Sequence, residues 1–186
     1  KKNNSETDSQ SIKALIVFRE NGETDNLFVP ILCDAIRMAG IDVRCSQKEF
    51  WESDTTYDII HFQWPEEVVG WICEGHAVIR RLKERIAFFR SRGAHFVYTR
   101  HNIRPHYANE VISRAYDIIE SESDIVVHMG HYSLTEFIEK HPGSRNVVIP
   151  HHIYQYTYKE DISIERARQY LNLPQEAFIV TAFGKF

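Results

Sequence analysis

The sequence predicts an α/β fold with three layers, α/β/α, built around a mostly parallel β-sheet. Short apolar and β-branched runs alternate along the chain with segments of helical periodicity, as in repeated β-α units. Several runs are apolar at nearly every position, which is typical of strands buried on both faces. A chain of 186 residues can bury one sizeable core, so one main domain is expected.

Six apolar runs are predicted to be the strands of this sheet. The first, residues 13–18, is apolar at every position after Lys13. The others are shorter, and polar, glycine or proline residues flank them. They are residues 41–44, 58–62, 95–99, 124–128 and 146–149. Right-handed crossovers between successive strands would make the sheet parallel.

Helices are predicted between these strands. Apolar residues recur at helical spacing from Leu27 to Met38, and Gly40 follows as a stop signal. Ser133 is predicted to cap a helix that runs to about Lys140. The remaining helices are predicted over residues 77–92, 107–121 and 164–173. Loops are predicted over residues 19–26 and 64–67.

The chain is expected to have four parts. They are a disordered leader (1–10), an N-terminal domain (11–155), a linker with a connecting helix (156–173) and the first strand of a further domain (174–186). The leader is polar and lacks an apolar core, so it is not a signal peptide. Residues 177–183 are strongly apolar and run into Gly184, as a buried strand followed by a turn would. The natural protein is therefore expected to continue into a second α/β domain.

Composition argues against several classes of function. The formal net charge of −4 disfavours a general affinity for nucleic acid. No apolar run approaches the roughly 20 residues that span a bilayer. Cys33, Cys45 and Cys73 lack metal or redox spacing and fit reduced thiols in a cytosol. The sequence therefore predicts a cytoplasmic protein without a metal centre.

A polar loop after the predicted strand 95–99 is the strongest candidate site. It contains His101, Asn102, Arg104 and His106, and Pro105 stiffens its backbone. Ligands of α/β sheets bind in the crevice outside the carboxyl ends of the strands. Each residue also has a simpler interpretation. His101 could cap the strand end, Asn102 could form a turn, and the other two could be solvated loop residues.

Two further loops follow neighbouring strands. Trp64 and Glu66 come after the third strand, where an aromatic face and a carboxylate could bind a sugar ring. Alternatively, Trp64 anchors its loop on the core. Asn21-Gly22 comes after the first strand, where backbone N–H groups could approach an anion, although Asn-Gly is also a common tight turn. His128 and His131 lack a third ligand, so a metal site there is rejected.

Several of these segments, in this order, resemble one family of enzymes. The chain is similar to the N-terminal half of a GT-B glycosyltransferase, of the large retaining group called family 4. The matching pieces are Asn21-Gly22, residues 58–66, residues 99–102 with Pro105-His106, residues 124–128 with Gly130 and Ser133, and residues 147–151. Residues 182–186 resemble the opening of the family's C-terminal domain. Each piece is short, and their order and spacing carry the resemblance.

The resemblance implies a two-domain enzyme. A Rossmann-like N-terminal domain would hold mainly the acceptor, and a C-terminal domain would hold most of a nucleotide sugar. The sugar would be transferred in the cleft between them, with retained configuration and without a metal or other cofactor. The acceptor would be a glycan, a lipid-linked sugar or another intermediate of a polysaccharide pathway.

The resemblance also implies roles for individual residues. His101 would contact the transferred sugar and is the candidate catalytic residue. Asn21, Gly22 and Lys185 are the candidate donor-binding residues, with Lys185 meeting a phosphate as a point charge. The candidate acceptor-binding residues are Trp64, Glu66, Asn102, Arg104 and His106.

Two alternatives remain open from the sequence. The chain could instead be a stand-alone flavodoxin-like binding or regulatory module without catalysis. The predicted helix 77–92 is rich in arginine and could lie on an anionic membrane surface, as an enzyme with a lipid-linked acceptor would require. Its cations could equally form an ordinary solvated face.

Overall fold

The computed structural model describes residues 11–20, 27–71, 75–106, 109–154 and 162–181, and within them one sheet contains six strands. The strands are β1 (Lys13–Val17), β2 (Asp42–Cys45), β3 (Ile59–Phe62), β4 (His95–Arg100), β5 (Ile125–His128) and β6 (Asn146–Val148). Their order is β2-β1-β3-β4-β5-β6, and all neighbours are parallel. The predicted parallel α/β fold is confirmed, in a Rossmann-like form.

Seven helices accompany the strands in the described part of the chain. They are α1 (Phe28–Met38), α2 (Gln47–Glu52), α3 (Pro65–Val69), α4 (Ala77–Arg90), α5 (Glu110–Glu122), α6 (His131–Lys140) and α7 (Ile164–Tyr170). The first six belong to a compact unit that ends at His151, and α7 belongs to a second unit that starts at His152.

The core lies on both faces of the sheet because successive strand residues point to opposite sides. On one face, Ala14 and Ile16 of β1 pack against Phe28 and Cys33 of α1. On the other face, the larger cluster joins the strands to α2, α3, α4, α5 and α6. Its fully buried aromatic residues are Phe50, Phe62, Phe89, Phe96, Tyr98 and Phe137. These two packed faces give the predicted three layers.

Two short helices were not predicted, although the sequence contains their start signals. Helix α2 begins at a capping motif, in which the Ser46 hydroxyl accepts a hydrogen bond from the Glu49 backbone N–H at 2.9 Å. Helix α3 has Pro65 in its first turn, followed by two glutamates. The prediction of a loop over residues 64–67 was therefore wrong, because Pro65 starts a helix here.

The predicted start of α6 was also wrong. The helix begins at His131, with Gly130 at its N-cap, so Ser133 lies inside the first turn. The Ser133 hydroxyl instead contacts Nδ1 of His128 at 3.0 Å and a guanidinium nitrogen of Arg100 at 3.4 Å. The Ser133 hydroxyl therefore bonds to these side chains and does not cap the helix.

The second unit contains α7 and the segment that follows it. Ser163 caps α7 by accepting from the Arg166 backbone N–H at 3.2 Å. Residues 177–181 form no strand, and Phe178 and Val180 are 93% and 83% exposed. The rest of the predicted strand, residues 182–183, lies outside the described residues. The four-part division of the chain stays a prediction.

We expect Phe96→Ala to destabilise the protein by roughly 3–5 kcal/mol, because it empties a fully buried site in the main core. The lost ring stacks on Phe62 with centroids 5.9 Å apart. Urea unfolding followed by circular dichroism measures the change. Met38→Ala is the control, because Met38 is 89% exposed and should shift stability by less than about 0.5 kcal/mol. Equal effects of the two substitutions would contradict this account of the core.

Candidate functional site

A cleft of about 420 Å³ opens at the carboxyl ends of the strands. From β1 the chain continues to β2 on one side of the sheet, and from β3 it continues to β4 on the other side. The crevice between β1 and β3 is therefore the topological switch point of the sheet. Residues that follow five of the strands line it. They are Phe18, Arg19, Trp64, Glu67, Trp71, His101, Asn102, His106, Met129 and His151.

An aromatic group surrounds His101. Its imidazole stacks on the indole of Trp64, with ring centroids 3.8 Å apart and planes 14° apart. Phe28, at the start of α1, meets the same imidazole edge-on at 4.8 Å. Phe18 packs against Trp64 at 5.8 Å. This packing fixes both rings, which leaves the cleft with a rigid, largely apolar floor.

A chain of buried polar groups continues from His101 into the sheet. Nε2 of His101 lies 2.9 Å from the side-chain oxygen of Gln63, and the Gln63 amide nitrogen lies 3.0 Å from Nε2 of His61. His61 also contacts the Thr99 hydroxyl at 2.8 Å. The ends of β3 and β4 supply all four residues. We call this set, Thr99, His61, Gln63 and His101, the imidazole relay.

Both imidazoles of the relay are neutral near pH 7. Burial, with smaller contributions from the nearby rings of His61 and His151, lowers the pKa of His101 from 6.5 to about 3. Burial lowers the pKa of His61 to about 4. His101 therefore lines the cleft as an uncharged hydrogen-bonding group.

Glu66 lies beneath the loop that follows β4. Its carboxylate is fully buried and accepts hydrogen bonds from the Tyr116 hydroxyl at 3.0 and 3.1 Å. It also accepts from the His106 backbone N–H at 3.2 Å, and Nδ1 of the same histidine lies 3.2 Å away. Burial and the charge of Glu66 raise the pKa of Tyr116. Glu66 thus holds the His106 loop from below and does not line the cleft.

The neighbouring glutamate, Glu67, does line the cleft. The Arg19 guanidinium donates to both oxygens of Glu67, and Trp71 Nε1 donates to one of them at 2.6 Å. Hydrogen bonding to Glu67 raises the pKa of Arg19. Because this ion pair is neutral overall and the nearby relay imidazoles are uncharged, this part of the cleft carries little net charge.

A buried ion pair anchors Arg100, the last residue of β4 before the loop. Arg100 is 2% exposed and donates to Glu120 at 3.1 Å. It also pairs with Glu136 at 2.6 Å and donates to the Ile103 carbonyl at 3.4 Å. Its partners lie on α5, on α6 and in the loop itself. The backbone before His101 is thereby tied to two helices.

The structure brings together some of the predicted site residues and not others. Trp64, His101, Asn102 and His106 line the cleft, and Asn102 Nδ2 lies 3.2 Å from His106 Nδ1. Arg104 is exposed and does not line it. Asn21, Gly22 and Lys185 lie outside the described residues. The donor and acceptor roles of all these residues stay predictions.

Several cleft residues were missed from the sequence. Arg19 and Met129 lie within two residues of a strand end, which is the signal that could have found them. Gln63 directly follows β3 and contacts the cleft residue His101. Glu67 and Trp71 follow β3 at a longer distance, and the unpredicted helix α3 brings them to the cleft. His151 comes three residues after β6, at the end of the matching segment 147–151, and was not predicted to be a site residue.

His128 is buried and bonded to Ser133 and to Asn146 at 2.9 Å. No three His, Cys, Asp or Glu side chains come close enough to hold a metal among the residues the structure describes. None of the helices within those residues has the length and hydrophobicity to cross a membrane.

The arginines of α4 are largely engaged within the protein. Arg81 and Arg85 donate to backbone carbonyls of residues 50–53. Arg90 pairs with Asp124 at 2.8 Å. These contacts support the interpretation of α4 as an ordinary solvated helix face. Contact of this helix with a membrane stays a prediction.

Comparison with protein-family models and with curated proteins gives no match for this chain. The functional argument therefore rests on the cleft, its neutral imidazoles and the order of the motifs along the sequence.

Acidification should weaken the fold through His61 and His101. Their pKa values of about 4 and 3 lie below the ordinary 6.5. At pH values between the folded and the ordinary pKa, the unfolded chain therefore binds more protons than the folded one. The free energy of unfolding should therefore fall as the pH drops below about 6.5. Each histidine contributes at most about 1.4 kcal/mol per pH unit.

His101→Gln should reduce this slope, measured by urea unfolding at several pH values between about 7 and 5. His95→Gln is the matched control, because His95 is exposed at the opposite end of β4. A slope that stays the same in His101→Gln would show that this imidazole is already charged or solvated in the folded state.

Proposed function

We propose that this chain is the acceptor-side part of a retaining glycosyltransferase that uses a nucleotide sugar. The observation that carries the proposal is the stacked pair of Trp64 and neutral His101, which faces an aromatic cleft at the switch point of the sheet. Aromatic faces pack well against the apolar face of a pyranose ring, and a neutral imidazole can hydrogen-bond its hydroxyls. The order of the family-like motifs supports the same function.

The charge of the cleft favours an uncharged saccharide next to His101. Arg19 is already paired with Glu67, so this cation is not free to bind a phosphate. The pair still offers N–H donors and carboxylate oxygens, which suit a diol. The donor phosphates would then be bound elsewhere, by Asn21 and Gly22, by Lys185 and by a second domain.

Within this proposal each residue has a defined task. His101 orients the transferred sugar and stabilises its transition state, as a preorganised hydrogen-bonding group does. Asn102 and His106, from the same loop as His101, bind acceptor hydroxyls, and Arg104 meets an anionic acceptor group. Glu66 acts through His106. The enzyme works in the cytoplasm without a metal, and a lipid-linked acceptor would bring it to the membrane surface.

A second candidate is a flavodoxin-like binding module without catalysis. One observation favours it, since the order β2-β1-β3-β4-β5 is also that of flavodoxin-like folds, which bind ligands at the same switch point. Such a module would bind its ligand without transferring a sugar.

His101→Ala should lower transfer by about 100-fold or more in the full-length gene product, because it removes a preorganised group at the reacting sugar. The assay follows nucleoside diphosphate release from a panel of nucleotide sugars, with glycan acceptors present. His95→Ala is the control at the far end of the same strand. Saccharide binding without any release of nucleoside diphosphate would favour the flavodoxin-like module.

Trp64→Leu should weaken binding of a glycan acceptor by about two- to tenfold, because the stacking face is lost. Titration calorimetry or chemical-shift perturbation measures the affinity. Trp51→Leu is a matched control, since Trp51 packs on Phe50, away from the cleft lining. Equal affinities in the two variants would place the saccharide outside this cleft.

A further inference from the structure

The imidazole relay contains a buried residue to which the proposed function gives no task. Gln63 is 0% exposed, and both ends of its amide contact imidazole nitrogens. A buried amide whose two ends both meet titratable rings can hold each ring in one protonation state.

We propose that Gln63 is a positioning residue that holds His101 as the Nε2–H tautomer. The inference deepens the proposed function and rests on it for the task of His101 in transfer. The tautomer itself is a property of the protein alone.

With the Gln63 amide oriented so that its oxygen faces His101, its two hydrogen bonds give this arrangement. The side-chain oxygen of Gln63 can only accept, so the Nε2 atom of His101, 2.9 Å away, must carry the proton. The amide nitrogen can only donate, so the Nε2 atom of His61, 3.0 Å away, must carry a lone pair. His61 is therefore protonated at Nδ1 if it is neutral. One amide thus sets both tautomers.

The consequence lies on the other side of the His101 ring. A neutral imidazole protonated at Nε2 has its lone pair at Nδ1, so its remaining polar atom is an acceptor. Stacking on Trp64 and edge contact with Phe28 make a flip of the His101 ring energetically costly. His101 would therefore accept a hydrogen bond from a sugar hydroxyl.

The surroundings of the ring favour the neutral form. The titratable groups whose charge acts on His101 are His61 and His151, and both lower its pKa. The nearest partner in the relay is an amide rather than a carboxylate, which distinguishes it from histidines activated by a glutamate or aspartate. Gln63→Glu would supply that missing charge with almost no change of shape.

Nuclear magnetic resonance tests the proposal, with the histidines of this chain labelled with the ¹⁵N isotope. Long-range proton–nitrogen spectra near pH 7 identify which ring nitrogen is protonated, and loss of one signal in His101→Gln assigns it. We expect the Nε2–H form at His101 and the Nδ1–H form at His61. In Gln63→Glu, the proton affinity of His101 should rise by about tenfold or more, because a carboxylate then faces Nε2.

Gln63→Leu should leave His101 without its partner and give a mixture of tautomers. Gln47→Leu is the matched control, because the Gln47 amide donates to backbone carbonyls of residues 67 and 68 and not to an imidazole. The control should keep the wild-type pattern at His101. A dispersed spectrum verifies that each variant is folded.

An Nδ1–H form at His101 in the wild-type chain would overturn the proposal, and so would an unchanged tautomer and proton affinity in folded Gln63→Glu. If neither Gln63 variant folds, the wild-type spectrum alone decides. Failure of the transferase proposal would appear separately, as absence of sugar transfer in the full-length protein with the tautomers as expected.

Discussion

The parallel register of β1, β3 and β4 is the constraint on which the cleft depends. Val17, Phe62 and Tyr98 lie side by side across the sheet, so the residues after them reach its edge at nearly the same level. The next residues on β1 and β3, together with those at the end of β4, supply the aromatic floor and the relay. Because the strands are parallel, these groups come from distant parts of the sequence and still converge at one edge.

Below this edge, buried polar groups hold the floor in place. A polar group without water is costly unless it is hydrogen-bonded, so each bond of the relay is also a structural requirement. Glu66 and Arg100 do the same for the loop after β4, since their charges are buried and paired. The chemistry proposed for His101 thus depends on residues that do not line the cleft.

The sequence was sufficient for the sheet and for the placing of the main loop. Continuous apolar runs identify buried parallel strands, and polar residues after them identify the edge where a site forms. The pairing between side chains could not be predicted, because His61 looks like part of a strand, Gln63 looks like an ordinary residue after it, and Glu66 looks like a cleft residue. Whether a carboxylate faces the solvent or a buried tyrosine depends on where α5 packs, and sequence periodicity does not give that position.

The anchoring of the loop after β4 has a consequence for recognition. A ligand that meets a flexible loop must offset the entropy lost when the loop becomes ordered. Here Arg100 and Glu66 hold both ends of the segment 100–106 against helices before any ligand arrives. A ligand bound against this segment would cost it little freedom, so selectivity there would come from shape and hydrogen-bond direction rather than from induced fit.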